Sequence, residues 1–200
     1  MNILHKEILR LAVPSILANI TVPLVGIVGI AVAGHLEGDA PVLIGGMSIG
    51  TLLFDLLYWN FSFLRIGTGG MTAQAYGRGD MKAAAGTLIR AVGVSMSIAL
   101  ICILIQWIFV DFVFLFVESS PAVRTLAESY FHIRIWAAPA TLTLMALKGW
   151  FIGMQDSISP MVTDLIVNAM NIVGSICLSM GVDAVGFDGI GFNGIATGTL

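Results

Sequence analysis

The sequence predicts an all-α protein, a polytopic bundle of transmembrane helices. Of its 200 residues, 58% are hydrophobic and only 10% are charged, and the mean hydropathy is +0.97. A soluble domain carries about 25% charged residues, so this chain has too few to cover a surface exposed to water. Its charges are also grouped between long apolar runs, which suit helices of about 20 residues that cross a lipid bilayer.

The apolar runs define about six spans. The first covers residues 11–34, and Pro14 and Pro23 predict a kink within it. Pro139 interrupts the fourth. The second to fifth spans are predicted over residues 42–72, 91–110, 129–154 and 161–181, and a sixth begins at Gly191. Because about ten residues cannot cross the hydrocarbon core, we expect a sixth span truncated at Leu200, and a chain that is a fragment.

The basic residues lie mostly on one side of the membrane once these spans are laid out. Cytoplasmic loops keep Lys and Arg because these charges resist translocation. With the N-terminus inside, only Arg124 and Arg134 fall outside. We therefore predict a multi-pass protein of the inner (plasma) membrane with a cytoplasmic N-terminus, with loops 76–81 and 155–159 inside and loops 36–40 and 118–120 outside. The inside set is Lys6, Arg10, Arg65, Arg78, Lys82, Arg90 and Lys148.

Polar side chains recur on one face of the fifth span. Four of them follow the spacing i, i+4, i+7 and i+11, which places them on the same side of a helix. They are Asp164, Asn168, Asn171 and Ser175. In lipid such a stripe must face other helices or a watery cavity. Polar contact between helices and binding of an ion or solute are both open interpretations.

A second polar stripe, on the second span, contains the most informative acid. Its members are Ser48, Thr51, Asp55, Tyr58 and Ser62. A carboxylate within a span is costly and usually functional, which makes Asp55 the first candidate for an ion or proton site. Asp164, nearer the inner interface, is the second candidate. Asn19 on the first span and Tyr58 complete the candidates for cation or substrate binding that the stripes supply.

Several other kinds of site find no support in the sequence. Cys102 and Cys177 lie in apolar runs and are expected to be buried thiols. Three scattered histidines predict no metal site, and no basic patch with interleaved aromatic residues indicates nucleic acid. The glycines at 189, 191 and 194 spell a dinucleotide pattern, but they lead into a membrane span, so we expect close helix packing there. No hydrolytic motif occurs, and we predict neither an enzyme nor a bound cofactor.

Motifs along essentially the whole chain resemble one family. The segment FLRIGTGGMTAQAYG at residues 63–77 resembles the end of the second helix in MATE transporters, the multidrug and toxic compound extrusion proteins, especially their DinF-like branch. Gly34-His-Leu36 is similar to the family's first outer turn, and GWFIGMQDS at residues 149–157 to its inner turn between helices four and five. Asn168-x-x-Asn171 resembles the fifth helix and residues 191–199 resemble the sixth.

This resemblance implies one lobe of a two-lobe transporter. Residues 1–200 would form the N-terminal six-helix lobe, and the second transporter lobe would be missing from this chain. The implied activity is multidrug efflux, the xenobiotic transport of small organic solutes that are often cationic or amphipathic. An antiporter of this kind uses a proton or sodium gradient, so H⁺ or Na⁺ would be the coupling ion.

Two positions depart from the family's pattern. The first helix of the family usually carries Asp where this chain has Gly29, and the fifth helix often carries Asp where this chain has Ser175. Of the residues associated with the family's cation site, Asn171 and Thr199 are present. We therefore expect proton coupling to use Asp55, and a sodium site would draw on Asp55, Asn171 and Thr199.

Two alternatives stay open. A lipid-linked precursor flippase has a related fold, but it would need a cationic cavity for pyrophosphate, and Arg65 or Arg134 are poor substitutes for one. A non-transporting truncated membrane fragment, either a decayed gene product or a lobe that binds a partner, is the other. The absent carboxylates at Gly29 and Ser175 and the end at Leu200 favour it.

Overall fold

The chain forms a bundle of helices, described by a computed structural model for residues 3–181 and 188–200. The described side chains exclude those of residues 3–11, 14, 15 and 17–19, so the side chain of the predicted site residue Asn19 lies outside them. In chain order, the helices are α1 (Ile3–His35), α2 (Ala40–Trp59), α3 (Phe63–Gly77), α4 (Met81–Phe114), α5 (Pro121–Arg134), α6 (Ala138–Gly153), α7 (Ile158–Met180) and α8 (Phe192–Gly198).

The predicted all-α membrane bundle is confirmed. Four segments are long and apolar enough to cross a membrane, namely Ala40–Gly77, Met81–Phe114, Pro121–Gly153 and Ile158–Met180. A shorter apolar segment, Ile20–His35, lies in α1. The four segments match the predicted second to fifth spans and extend past most of their predicted ends. Hydropathy marks the apolar core of a span, whereas the helical hydrogen bonds continue into the polar flanks.

Two of these segments are interrupted helices. Residues 60–62 form a turn between α2 and α3, in which the Leu64 amide donates to the Phe61 carbonyl (3.0 Å). The predicted second span is therefore two helices, and Ser62 does not belong to the α2 stripe. A 3-10 turn, Ile135–Ala137, precedes Pro139, as expected for a residue that cannot donate and that crowds the preceding turn. By contrast, α1 stays helical through both of its prolines.

The residue contacts divide the chain into two compact units that share its long helices. Unit 1 holds seven basic and four acidic residues, a net charge of +3, and unit 2 holds two basic and eight acidic residues, a net charge of −6. The seven basic residues of unit 1 are those predicted to be cytoplasmic. Unit 1 comprises Met1–Val22, Asn60–Ile101 and Pro139–Val167, and unit 2 comprises Pro23–Trp59, Cys102–Ala138 and Asn168–Leu200.

In unit 1, α3 and α6 approach each other at glycines. A Cβ on Gly153 would lie 2.6 Å from the carbonyl oxygen of Gly69, and a Cβ on Gly149 would meet the backbone of Arg65. Because Gly149 and Gly153 are four residues apart, they form a small-xxx-small motif that lets the two backbones touch. The sequence comparison with the family placed these glycines at an inner turn, and their packing role comes from the structure.

In unit 2, α2 packs against α5 at a second pair of glycines. A Cβ on Gly46 would lie 2.6 Å from the Cβ of Leu126, and a Cβ on Gly50 would lie 2.6 Å from Cδ1 of Tyr130. Each added carbon would overlap the facing side chain. Gly46 and Gly50, four residues apart, therefore form a small-xxx-small contact with α5.

The contact between α7 and α8, also in unit 2, explains the predicted glycine pattern. A Cβ on Gly194 would lie 2.5 Å from the backbone of Leu178, and one on Gly198 would meet the backbone of Ser175. Gly191 has φ +63°, a left-handed conformation that favours glycine. The expected role in close helix packing is confirmed.

Candidate functional site

Asp55 lies on the exposed side of α2, within a candidate membrane span. Its carboxylate makes no hydrogen bond or ion pair with any described residue. Thr51 and Tyr58, its neighbours on the stripe, are half-buried, and Tyr58 stacks on Phe54 with ring centroids 5.6 Å apart. A carboxylate left uncovered in a span must face water or protein instead of lipid. Asp55 therefore has the placement that an ion or solute site requires.

The predicted polar residues of α7 and α8 in unit 2 are covered by protein. Asn168 and Asn171 are half-buried, and Ser175 is 3% exposed. The Ser175 hydroxyl donates to the carbonyl of Ile195 (3.5 Å), and the Thr199 hydroxyl donates to the same carbonyl (3.1 Å). Both hydroxyls thus reach one α8 carbonyl, but only the Ser175 bond connects α7 to α8, since the Thr199 bond is local to the end of α8.

The space beside Gly29, where the family usually places a carboxylate, is filled by Met47. A Cβ on Gly29 would meet the Met47 methyl group and would lie 3.2 Å from its sulfur and 3.8 Å from a methyl of Ile195. Met47 is 6% exposed. Hard cations bind oxygen ligands, and these apolar atoms supply none. The site that the resemblance implies is therefore occupied by hydrophobic packing on the α1 side.

Asp164, the second acidic candidate, forms an ion pair with Lys148 in unit 1. The carboxylate side chain is 18% exposed and the lysine side chain 24%. Each charge therefore neutralises the other between α6 and α7.

Arg134 is a charged residue that lies within a span. The sequence analysis placed it on the outer side and did not name it as a candidate site residue. It ends α5, inside the segment Pro121–Gly153, and is half-buried. Its Nη1 donates to the Tyr130 hydroxyl (3.0 Å), and its guanidinium lies 5.0 Å from the ring centroid of Phe54. The sequence could have indicated this residue, because position 134 falls within the predicted fourth span, where a charge is usually functional.

Unit 2 also contains a cavity of about 400 Å³. None of the predicted site residues lines it. It is bordered by His35, Leu36, Glu37, Leu43, Ser179, Met180, Gly189, Gly191 and Phe192.

The fold and these intramembrane charges define a polytopic membrane protein of the kind that forms transporter lobes. The model of the MatE family matches residues 14–177. The chain is also 38% identical over 176 residues to DNA damage-inducible protein F of Escherichia coli (strain K12). The chain belongs to the MatE family.

Solved structures agree with this assignment at the level of the fold. The outward-facing conformation of a multidrug resistance MATE family transporter of the MOP superfamily matches with a TM-score of 0.82 at 18% identity, over 97% of this chain. A MATE protein in the bent conformation matches with a TM-score of 0.83 at 18% identity, over 98% of this chain. The chain covers 41% and 42% of these two proteins, and 38% of the E. coli relative.

Proposed function

We propose that this chain is the N-terminal lobe of an efflux antiporter that exports organic solutes and is driven by a proton or sodium gradient. The observation that carries the proposal is membership of the MatE family over residues 14–177. Support comes from the intramembrane charges Asp55 and Arg134, which a transporter needs near its solute path and a purely structural bundle does not. The proposed activity is transport and not catalysis.

The proposed location is the inner (plasma) membrane with the N-terminus in the cytoplasm. It is supported by the net charge of +3 on unit 1 and −6 on unit 2, since basic segments stay on the cytoplasmic side. Both described inner loops, 76–81 and 155–159, belong to unit 1, and both described outer loops, 36–40 and 118–120, belong to unit 2.

The proposed coupling ion is the proton, bound at Asp55. The uncovered carboxylate of Asp55 supports this choice, and the packing of Met47 beside Gly29 argues against sodium at the usual place. A sodium site made with Asn171 and Thr199 has less support because Gly29 and Ser175 stand where the family usually supplies carboxylate ligands.

A transport assay with a completed second lobe tests the proposal. The chain is fused to the C-terminal portion of the E. coli relative and expressed in efflux-deficient cells, where retained ethidium is measured. The fusion should lower ethidium retention, whereas the chain alone and the C-terminal portion alone should match the vector, since alternating access needs two lobes. A monodisperse fusion, present in the membrane, that moves neither ethidium nor any dye of a charged panel would contradict efflux.

The flippase alternative gains no support from the structure. A pyrophosphate calls for several clustered cations, and the cavity described in unit 2 has no Lys or Arg in its lining. Of the two basic residues of unit 2, Arg124 is paired with Asp111 and Glu128.

A further inference from the structure

Arg134 is held in place by aromatic side chains. Its guanidinium lies 5.0 Å from the Phe54 centroid and 5.7 Å from the Tyr130 centroid, and the Tyr130 hydroxyl accepts a hydrogen bond from Nη1. Phe54 is 2% exposed and Tyr130 is 1% exposed. Because these rings are buried, they fix the guanidinium before any ligand arrives. Its remaining N–H donors are available on a half-buried side chain.

The positive charge of Arg134 has no acidic partner among the described residues. Arg124, the other basic residue of unit 2, pairs with Asp111 (3.2 Å) and Glu128 (2.7 Å). An uncompensated cation in a span is costly, and such residues face the bundle interior and mark solute pathways. The contrast with Arg124 favours a ligand role for Arg134, which has no acidic partner within residues 3–181 and 188–200.

The depth of Arg134 restricts the source of that ligand. It lies ten residues beyond Arg124 along α5, a rise of about 15 Å at 1.5 Å per residue. Arg124 and its two exposed or half-exposed acids mark the solvated end of the helix. A lipid phosphate stays at the level of Arg124, about 15 Å away, which favours a solute that enters the bundle as the source of an acidic group at Arg134.

We propose that Arg134, on the platform of Phe54 and Tyr130, binds the carboxylate or sulfonate of an organic anion or zwitterion. This inference rests on the proposed efflux function and names its solute class, in place of the cations expected from the family resemblance. The planar guanidinium can bind an acidic group through two parallel hydrogen bonds. The two rings are buried, so their role is to orient the guanidinium towards that group.

Two xanthene dyes of similar shape and opposite charge test the inference. The 200-residue chain is placed in phosphatidylcholine nanodiscs, and the binding of anionic fluorescein and cationic rhodamine 6G is followed by fluorescence anisotropy. Fluorescein should bind, and Arg134→Gln should weaken it by about tenfold or more, because a charge-assisted hydrogen bond is lost. The fluorescein affinity of Arg134→Lys should lie between those of the wild type and Arg134→Gln, since lysine keeps the charge but not the planar donors. Arg124→Gln is the matched control and should change the Kd by less than about twofold, as expected for an exposed ion pair.

The outcomes separate this inference from the proposed function. Binding of rhodamine 6G but not fluorescein would overturn the solute class and leave efflux intact. Binding of neither dye would count against both. Fluorescein binding that is equally sensitive to Arg124→Gln, or that is abolished when a third of the lipid is phosphatidylglycerol, would assign the effect to general charge or to a lipid headgroup and would also overturn it. Monodisperse variants and an intermediate affinity of Arg134→Lys would show that the loss of fluorescein binding in Arg134→Gln does not result from misfolding.

Discussion

Three charged side chains within the apolar segments are accommodated in three different ways. Asp164 is neutralised by Lys148, whereas Arg134 rests on buried rings without an acid among the described residues. Asp55 is exposed and makes no described polar contact. A charge that has an ion-pair partner is already compensated, so it needs no ligand. Of these three, Arg134 and Asp55 have no ion-pair partner among the described residues, and they carry the functional predictions at the scale of the residue.

Asp55→Asn should abolish pH-dependent transport in the fused transporter and leave its expression unchanged. The amide is nearly isosteric but cannot release a proton, so the carrier loses its only candidate proton site on α2. Dye efflux at several pH values measures the effect. Asp111→Asn is the control, because Asp111 is an exposed acid paired with Arg124. A wild-type pH profile in Asp55→Asn would reduce this residue to a polar packing contact.

Gly29→Asp should destabilise the chain, and Met47→Ala should relieve much of that loss. The new Cβ meets the flexible end of the Met47 side chain, which can shift, so the loss comes mainly from burying a polar group beside apolar atoms, at about 1–3 kcal/mol. Removing Met47 beyond its Cβ makes room for the carboxylate. Thermal unfolding of the single and double variants, followed by tryptophan fluorescence, gives the coupling between the two positions. Additive effects of the two substitutions would mean that Met47 does not occupy the carboxylate position.

At the scale of the helices, glycine contacts determine how closely neighbours pack. Gly46 and Gly50 allow α5 to pack closely against α2, and Gly149 and Gly153 allow α3 to pack closely against α6. In lipid the close approach of backbones is a main source of helix association, since the hydrophobic effect does not favour protein over lipid. The same residue type therefore recurs at the tightest contacts of each unit.

Gly46→Ala should destabilise the α2–α5 contact by about 1–3 kcal/mol. The added carbon would lie 2.6 Å from the Cβ of Leu126, which cannot rotate away. Gly26→Ala is the matched control, because its Cβ would meet nothing within 4 Å. The control should be neutral or stabilise the helix by up to about 1 kcal/mol. Thermal unfolding checks both, and equal melting temperatures for the two variants would contradict the packing argument.

The sequence was sufficient for the spans but not for their interruptions or partners. Apolar length and Pro139 predicted the fourth segment and its break, because both depend on local chemistry. The turn at residues 60–62, the Met47 side chain beside Gly29 and the Phe54 ring beneath Arg134 depend on which helices meet. Hydropathy carries no information on such pairings. All seven candidate site residues stay predictions, namely Asp55, Asn171, Asn168, Asp164, Thr199, Asn19 and Tyr58.

At the scale of the whole molecule, charge follows the division into units. Seven of nine basic residues belong to unit 1, and eight of twelve acidic residues belong to unit 2. The contacts that define the units take no account of charge. Their agreement with the positive-inside pattern therefore supports one orientation, with the loops of unit 1 towards the cytoplasm.

Cysteine labelling in intact cells tests that orientation. In a background with Cys102→Ala and Cys177→Ala, Arg78→Cys and Glu118→Cys each place one thiol at an exposed position in a unit 1 and a unit 2 loop. Position 79 is avoided because Gly79 has φ +72°, which strains any other residue. A membrane-impermeant maleimide should label the cysteine at 118 from outside and the cysteine at 78 only after lysis, since seven basic residues resist translocation of unit 1. Arg78→Cys removes one of these seven charges, so Gln74→Cys, which leaves all of them in place, serves as its control. Labelling of position 74 from outside would reverse the orientation, and with it the direction in which a solute bound at Arg134 would be released.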